Sequence, residues 1–389
     1  MAGGSDASHG SSSYYEYYFN GTTEHHVGVA GVMVPIALSL ITVLALLGNS
    51  LVIYIVLRYR NMRGSVTNFY MMNVAISDIV FVLVCAPLTS AQYAMPHWPF
   101  GEFFCKMNAF IQCVSVQATC TTLTAMTVDR YYVIMCPLAS RRTRTIKRAG
   151  MVCTSIWIFS ALVHIPVAFF FEIESFWWSG QIREYCKFTL SERHYIIGYY
   201  LYLSLITFVV PLIIIAVCYI LILSHLWKLS RVSRCQDTAA GSSYDALAQS
   251  GRSTALPPAQ SSARTASKTW KTTKIVMSVV MLFAVCWAPM QAFNVWNAFD
   301  PETHTASTHI SNARIFCLCL AYANSCINPL VYALAGASYR HHLRQMFSGN
   351  KKRGRFLTSR FSPTAGGNSS YRSVRRMSRT EATSVSTCV

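Results

Sequence analysis

The sequence predicts an all-α membrane protein: a seven-transmembrane-helix bundle with a short amphipathic helix after the seventh span. Of its 389 residues, 53% are hydrophobic and only 12% are charged, against about 25% charged residues in a typical soluble domain. Seven apolar segments recur along the chain, and each can cross a hydrocarbon core of roughly 30 Å as a helix. We predict these spans, numbered first to seventh, at 30–57, 68–93, 103–135, 148–171, 196–224, 273–298 and 311–334.

The third span has a distinctive group at each end. Residues 107–128 contain no charged side chain, and a helix of this length covers roughly 33 Å. Cys105 precedes this run, and Asp129 with Arg130 follows it. Because an arginine at the centre of a membrane helix costs about 2.5–3.5 kcal/mol, we expect the pair at a membrane interface. The simpler alternative is an arginine that only reaches the lipid headgroups.

The loops differ in charge between the two sides of the membrane. The N-terminal segment and the loops on its side sum to −7, whereas the opposite loops and the tail sum to +24. Because basic loops stay inside the cell, this asymmetry predicts a multi-pass plasma-membrane protein with an extracellular N-terminus and a cytoplasmic C-terminus. Contact with the anionic lipid bilayer explains the net charge of +18, and no nucleic acid is needed as a partner.

This topology divides the chain into an N-terminal segment, a bundle and a tail. We expect an extracellular, glycosylated N-terminus at 1–29, a helical bundle with its amphipathic helix at 30–347, and a disordered tail at 348–389. Asn20 begins an Asn-Gly-Thr triplet on the extracellular side and is the expected glycosylation site. The third cytoplasmic loop, within 225–272, is rich in Ser, Ala and Gln and is expected to be disordered.

The segment Ser338–Phe347 carries the amphipathic helix. Its apolar side chains recur at helical spacing and are expected to face lipid, while Arg340 and Arg344 face headgroups. The segment therefore lies along the membrane surface rather than across it.

The cysteines become informative once the topology is assigned. Of the 14 cysteines, only Cys105 and Cys186 fall at extracellular positions, where disulfides persist. We predict that these two pair and tie the second extracellular loop to the third span. The alternative is a pair of free thiols.

Polar side chains inside the spans indicate a second site. Asp78 lies in the second span with no basic residue at its depth, so it needs hydroxyls, amides, water or a cation as partners. An oxygen-rich cluster of this kind suits Na⁺, which would act as an allosteric ion. Its expected members are Asp78, Asn49, Thr119, Asn324 and Asn328. The alternative is a protonated aspartate that links helices by hydrogen bonds.

Motifs in all seven spans occur in a familiar order. In sequence order they are Gly48-Asn49, Ala75 with Asp78, Asp129-Arg130-Tyr131, Trp157, Pro211 with Tyr219, Phe283 with Cys286-Trp287-Ala288-Pro289, and Asn328-Pro329 with Tyr332. Over about 30–347, this series resembles the rhodopsin-family (class A) G-protein-coupled receptors.

The resemblance implies a switch as well as a fold. Phe283 and Trp287 would lie below a ligand pocket and transmit binding to a swing of the sixth span about Pro289. Asp129 would release Arg130, and Tyr219 would help to support the open cytoplasmic cleft. A heterotrimeric G protein would then enter that cleft. The remaining expected members of the switch are Tyr131, Asn328, Pro329 and Tyr332.

Three stretches narrow the resemblance to a ligand class. The segments 111–138, 281–296 and 320–334 resemble the kisspeptin receptors more than the galanin or allatostatin receptors. The resemblance implies a neuropeptide ligand, namely a kisspeptin-like amidated peptide, and coupling to the phospholipase-C- and calcium-linked class of G protein. A galanin- or allatostatin-type peptide receptor is the alternative.

Single residues argue against two other ligand classes. Gln112 stands where amine receptors of this family carry an aspartate, and no lysine between Lys274 and Lys351 could bind retinal. A peptide ligand remains, and acidic side chains at the pocket mouth would attract a basic one. These acids are Glu102, Glu172, Glu174, Glu184, Asp300 and Glu302. The expected ligand-binding residues are Gln92, Tyr93, Gln112, Gln291, Asn294 and Arg314.

The C-terminal tail predicts regulatory partners. It is dense in Ser and Thr beside Arg, so phosphates added by receptor kinases would create a site for arrestin. The chain ends with Thr387 and Val389 at the spacing that PDZ domains bind by β-augmentation. A free, unmodified tail is the alternative.

Two other protein classes are disfavoured. A membrane transporter, which is the unlikely alternative, would show inverted repeats and paired broken helices, and the sequence shows no such symmetry. A membrane enzyme would show a metal set or a nucleophile with its base, but His164 stands alone in the fourth span. We therefore expect no catalytic residues, and no cofactor apart from the possible allosteric Na⁺.

Overall fold

The seven predicted spans are helices in the structure. The computed structural model describes residues 28–178, 181–190, 192–247, 259–300 and 308–347. The helices of the spans have the bounds Val29–Arg58, Val66–Ala94, Gly101–Met135, Ile146–His164, Arg193–Ser204 continued by Val210–Leu247, Ala259–Phe299, and Thr308–Ala335. The predicted helical membrane bundle is thereby confirmed.

The third span is the most polar of the seven. By length and composition, six of the described helices are apolar enough to cross a membrane, and the third span is not one of them. It contacts the second, fourth, fifth and sixth spans, so protein rather than lipid surrounds much of it. Its buried polar side chains include Ser115, Gln117, Thr119, Thr122 and Thr127. A central position thus permits a polarity that a lipid-facing helix would not tolerate.

Two spans depart from regular α-helix near a proline. The fourth span ends in the 3-10 turn Ile165–Phe169, which contains Pro166. The fifth span contains the π-helical turn Leu205–Val209, just before Pro211. Proline has no N–H to donate, so it favours such local changes of winding, which membrane bundles tolerate because neighbouring groups bond the freed carbonyls.

A β-hairpin follows the fourth span. Its strands, β1 (Phe171–Trp178) and β2 (Gln181–Phe188), are antiparallel, with Ile173 opposite Cys186. Cys186 forms the predicted disulfide with Cys105, and their Cα atoms lie 5.5 Å apart. The hairpin therefore stays attached to the third span.

Trp98 fixes the hairpin from a second direction. It is buried in a cluster with Leu88 and Cys105. Its backbone N–H donates to the carbonyl of Glu184 at 2.6 Å, and its indole N–H donates to the carbonyl of Gly101 at 2.9 Å. One buried tryptophan thus connects the hairpin to the start of the third span.

The expected disordered loop within 225–272 is shorter in the structure. The fifth span continues as helix to Leu247, and the sixth begins at Ala259. Ala, Gln and Arg are good helix formers, and extending an existing helix avoids the unfavourable nucleation step. Residues 248–258 lie outside the described part of the chain.

The short helix after the seventh span also forms. It runs from Ala337 to Phe347, one residue earlier than the predicted start. Residues 1–27 and 348–389, which include most of the expected N-terminal segment and the expected tail, lie outside the described residues.

The first and seventh spans approach each other closely at Gly48. A Cβ atom added to Gly48 would lie 2.9 Å from Cγ of Pro329. The proline ring cannot rotate away, so the space at Gly48 fits hydrogen and nothing larger. This contact brings Asn49 next to the seventh span.

We predict that Gly48→Ala lowers the thermal stability of the solubilised protein. Overpacking of a filled interior typically costs ~1–3 kcal/mol. Gly150→Ala is the matched control, because its Cβ would meet only Cζ of Phe69 at 3.9 Å, an ordinary contact. A melting curve for each purified variant gives the comparison, and equal melting temperatures would show that the close approach does not constrain the bundle.

Candidate functional site

The functional residues lie at three levels along the bundle. We call the end that carries the Cys105–Cys186 bridge the disulfide end and the opposite end of the third span the Asp129 end. Cys105 and Asp129 are 24 positions apart, which corresponds to about 36 Å of helix. Between the two ends lies a buried polar layer around Asp78.

Asp129 binds two arginines at the Asp129 end. Its Oδ2 atom lies 2.9 Å from Nη2 of Arg130, and its Oδ1 atom lies 2.7 Å from Nε of Arg144. The Arg130 and Asp129 side chains are only 6% and 12% exposed. Charge-assisted bonds between groups this well buried are stronger than surface ion pairs.

Thr67 joins the second span to the same cluster. Its hydroxyl oxygen accepts hydrogen bonds from Arg130 and from Nη2 of Arg144, the latter at 2.9 Å. The second span, the third span and the loop after the third span therefore meet at one carboxylate and one hydroxyl.

Arg144 was not among the predicted switch residues. In the sequence it is one of several basic residues in a loop that is expected to be cytoplasmic. Arg144 directly follows the short helix Pro137–Thr143, which has proline in its first turn. That helix returns the chain toward the third span, a placement that only the folded loop reveals.

Two tyrosines of the expected switch, Tyr219 and Tyr332, lie buried inside the bundle. Tyr219 interacts with Thr127 and Arg130 of the third span, so it joins the fifth span to the third beside the Asp129 cluster.

The middle layer links three spans through amides. Asn328 donates from Nδ2 to Oδ2 of Asp78 at 2.9 Å. Asn49 donates from Nδ2 to the carbonyls of Ser325, at 2.8 Å, and Ala45, at 2.9 Å. The first, second and seventh spans are thus connected at the depth where Asp78 is buried.

A small cavity adjoins the Asp78 carboxylate. Its volume of about 10 Å³ is close to the minimum that holds one water molecule. Its lining combines oxygen-bearing and aromatic side chains: Asp78, Phe81, Ser115, Val116, Thr119, Phe283, Trp287, Asn324 and Ser325. The cavity therefore lies between the polar layer and the aromatic residues of the expected switch.

The oxygen atoms that line the cavity suit a small hard cation as ligands. Besides the Asp78 carboxylate, Oγ of Ser115 and Oδ1 of Asn324 are buried and have no hydrogen-bond partner in the described structure. Oxygen ligands of this kind suit Na⁺. Within the described residues, no cluster of three His, Cys, Asp or Glu side chains could hold a metal ion, so any ion here would rely on hydroxyls and amides.

The structure changes the set of residues predicted to bind Na⁺ in two respects. Thr119 and Asn324 line the cavity as expected, whereas Asn49 and Asn328 hydrogen-bond at its edge. Ser115 and Ser325 were missed. Ser115 precedes Thr119 by four residues and so lies on the same helical face, a signal that the sequence does contain.

Aromatic rings continue from this cavity toward the disulfide end. The ring centroids of Phe283 and Trp287 lie 6.2 Å apart, and those of Phe81 and Trp287 lie 6.0 Å apart. Phe81 also contacts Tyr322, whose hydroxyl hydrogen-bonds the Thr89 hydroxyl at 2.8 Å. Because Pro289 follows Trp287 by two residues and interrupts the helical hydrogen bonds, the sixth span can bend where these rings meet.

The expected ligand-binding residues differ in their surroundings. Gln291 donates from Nε2 to the hydroxyl of Thr207 at 3.4 Å, which adds a fifth-span residue that the sequence did not single out. Gln112 and Asn294 are half-buried, whereas Gln92 is exposed. Tyr93 and Arg314 are half-buried and interact with other groups.

Several acids of the pocket mouth are already paired. Glu102 forms an ion pair with Lys106, and Glu174 binds Lys187 at 2.8 Å and also Tyr185. Asp300 interacts with another group as well. Glu302 lies outside the described residues.

Glu172 and Glu184 are the remaining acids of this set. Both are exposed, and neither forms an ion pair within the described chain. Among the described acids of this set, the carboxylates without an ion pair are therefore on the hairpin.

The Glu174 carboxylate stays charged through its partners. Its partial burial acts to raise the pKa, but the hydrogen bonds from Lys187 and Tyr185 outweigh it and hold the pKa below its ordinary value. The pairing thus stabilises the hairpin above the ordinary carboxyl pKa, and this contribution is lost as the pH falls through the lowered pKa.

Three expected site residues lie outside the described part of the chain. They are the glycosylation residue Asn20 and the C-terminal pair Thr387 and Val389.

Comparison with known proteins agrees with this geometry. The family described as 7 transmembrane receptor (rhodopsin family) matches residues 48–332. A G-protein coupled receptor 54 from Oreochromis niloticus is 37% identical over 81% of this chain and 78% of its own length. The KiSS-1 receptor of Mus musculus is 38% identical over 81% of this chain and 74% of its own length. The Allatostatin-A receptor of Bombyx mori is 32% identical over 88% of this chain and 86% of its own length. These relatives are receptors, not enzymes, and the chain belongs to the rhodopsin family of seven-transmembrane G-protein-coupled receptors.

Proposed function

We propose that this peptide receptor binds a kisspeptin-like amidated peptide at the disulfide end and activates a heterotrimeric G protein of the phospholipase-C-linked class. The observation that carries the assignment is the 36–38% identity to receptors named for KiSS-1 over 81% of the chain. The uncharged amides Gln112 and Gln291 support it, since they suit peptide groups better than an amine.

The proposed orientation places the disulfide end outside the cell. The negative sum of the loops at that end supports it, as does a disulfide, which persists in an oxidising compartment. Residues 1–29 then form the extracellular segment, with a glycan at Asn20, and the basic segment 348–389 forms the cytoplasmic tail.

The ligand contacts follow from charge and hydrogen bonding. A basic side chain of the peptide would bind Glu172 or Glu184, which form no ion pair within the described part of the chain. Deeper in the bundle, Gln291 and Thr207 already form a weak 3.4 Å hydrogen bond, which ligand amides can replace with shorter ones. The other proposed contacts are Gln92, Tyr93, Gln112, Asn294 and Arg314.

The mechanism is a shift in population from an inactive to an active arrangement of the bundle. The peptide stabilises the active arrangement by the difference between its affinities for the two states. Movement of Trp287 and Phe283 swings the sixth span about Pro289, and the cluster at Asp129 separates. Arg130, Tyr131 and Tyr219 then line a cleft for a helix of the G protein, while Asn328, Pro329 and Tyr332 adjust in the seventh span.

The cavity beside Asp78 would hold Na⁺ in the inactive state. The carboxylate of Asp78 and the unpaired oxygens of Ser115 and Asn324 would bind it, and a bound cation would screen a negative charge buried among helices. Because the cavity is small, ion binding and closure of the bundle favour each other.

The tail would recruit regulators. Phosphates on its Ser and Thr, added by receptor kinases, would provide charge for arrestin. The C-terminal Thr387 and Val389 would dock on a PDZ domain, with the free carboxylate held by backbone amides.

A second candidate rests on the insect relative. The Allatostatin-A receptor of Bombyx mori covers more of this chain than the KiSS-1 receptors do, at lower identity. We therefore keep an allatostatin- or galanin-type peptide as the alternative ligand.

We predict that a peptide panel separates these candidates. In cells that express this chain, a kisspeptin-like amidated peptide should raise calcium at lower concentration than allatostatin or galanin peptides and should leave cAMP unchanged. The same peptide with a free C-terminal acid is the matched control and should be weaker, because a carboxylate would replace the hydrogen-bonding amide. Greater potency of an allatostatin or galanin peptide would contradict the assignment.

We predict that Arg144→Ala raises ligand-independent activity. The variant removes one of the two cations from Asp129 and so weakens the inactive cluster by ~1 kcal/mol, equivalent to about a fivefold population shift. Basal nucleotide exchange on a purified G protein measures it. Arg142→Ala, at an exposed neighbour in the same loop, should leave exchange unchanged, and equal basal rates in all three proteins would remove Arg144 from the switch.

We predict that sodium weakens agonist binding through Asp78. Replacing potassium with sodium should lower agonist affinity in the wild-type receptor, and Asp78→Asn should abolish the dependence, as reciprocal linkage requires. Ser77→Ala is the control, because Ser77 is buried beside Asp78 but does not line the cavity. A sodium effect that persists in Asp78→Asn would rule out this ion site.

A further inference from the structure

A groove on the outer surface of the bundle is separate from the sites described above. It lies between the third and fourth spans and has a volume of about 510 Å³. Its lining residues are Thr121, Arg148, Met151, Val152, Ser155, Ile156 and Phe159. All except Thr121 come from the fourth span, and Met151 and Phe159 are 62% and 47% exposed, so the groove opens toward lipid.

The groove has the length of one lipid leaflet. From Arg148 to Phe159, 11 residues of helix rise about 17 Å, and half of a hydrocarbon core measures roughly 15 Å. Arg148 lies in the first turn of the fourth span, which begins at Ile146 near the Asp129 end. The groove therefore runs from the membrane surface to about the midplane.

The two ends of the groove differ in chemistry. Met151, Val152 and Phe159 supply an apolar wall that suits an acyl chain. The Arg148 guanidinium at the other end forms no ion pair or hydrogen bond within the described chain, although the backbone N–H of Arg148 donates to the capping Thr145 side chain at 3.3 Å. Lys147 is exposed beside it. An unpaired guanidinium at a helix N-terminus favours an anion.

We infer that this groove binds an anionic glycerophospholipid of the cytoplasmic leaflet, with an acyl chain along Met151, Val152 and Phe159 and its phosphate at Arg148. The choice of leaflet rests on the orientation given under the proposed function. Basic pockets on the cytoplasmic side of a bundle favour anionic headgroups. A sterol or a zwitterionic lipid would supply no net negative charge to the arginine.

A second copy of the chain fits this groove less well. It would approach with its own basic loops, because the loops and tail on this side sum to +24. Like charges would meet at the Arg148 end, whereas an anionic lipid neutralises them.

The bound chain would contact the helix that carries the switch. Thr121, on the third span, accepts a hydrogen bond from Nε2 of Gln117 at 2.8 Å, and Asp129 lies eight residues further along the same helix. The lipid would therefore lie against the third span between the ion cavity and the Asp129 cluster.

Native mass spectrometry of the full-length receptor in detergent tests the inference. We predict that dioleoyl phosphatidylserine binds more tightly than dioleoyl phosphatidylcholine. Arg148→Gln should weaken phosphatidylserine about fivefold, equivalent to ~1 kcal/mol, and should weaken phosphatidylcholine less, because the choline cation already neutralises that phosphate. Arg148→Lys should retain the preference. Arg142→Gln, which removes an exposed arginine outside the groove, should have no effect.

A groove-filling variant tests the acyl-chain contact. Val152→Trp should displace both lipids, since its ring would occupy the apolar wall. Equal binding of the two lipids, an equal loss in Arg142→Gln, or undiminished binding in Val152→Trp would each overturn the inference. The measurement uses neither peptide nor G protein, so a wrong ligand assignment would leave its outcome unchanged.

Discussion

The carboxylate of Asp129 joins two spans and a loop at one end of the bundle. It binds Arg130 and Arg144, and both arginines also bind Thr67. Removing one partner from a buried ion pair leaves a poorly solvated charge, which is why such clusters resist partial opening. We propose that the second span, the third span and the following loop separate together, which would give the bundle two states.

The bilayer explains why the other polar groups lie where they do. Lipid offers no hydrogen bonds, so the polar side chains of the spans pair inside the bundle. Asp78 hydrogen-bonds Asn328, and Asn49 hydrogen-bonds the backbone of the seventh span. The seventh span can come this close because Gly48 has no side chain.

Hydropathy predicted the seven spans, because each segment carries that property by itself, and the loop charges then gave a topology that left only Cys105 and Cys186 on the extracellular side. The contacts of Arg144 and Thr207 could not be predicted in the same way, whereas Ser115 was missed although its spacing from Thr119 indicated it. The contacts of Arg144 and Thr207 depend on how a loop folds back or how two helices face each other. The pairing of Glu174 with Lys187 was missed for the same reason, since a count of loop charges does not show which of them meet across a hairpin. Composition also placed the start of the third cytoplasmic loop too early, because the helix of the fifth span continues to Leu247.

We propose that peptide binding opens the Asp129 end by moving the sixth span. Double electron–electron resonance measures this movement as the distance between two spin labels in receptor reconstituted into lipid nanodiscs. The labels are attached at Arg63 and Lys274, which are both exposed at that end. We predict one short distance without peptide and a second population at a longer distance when an activating peptide is added. A distance distribution that stays unchanged while the same peptide accelerates nucleotide exchange would contradict it.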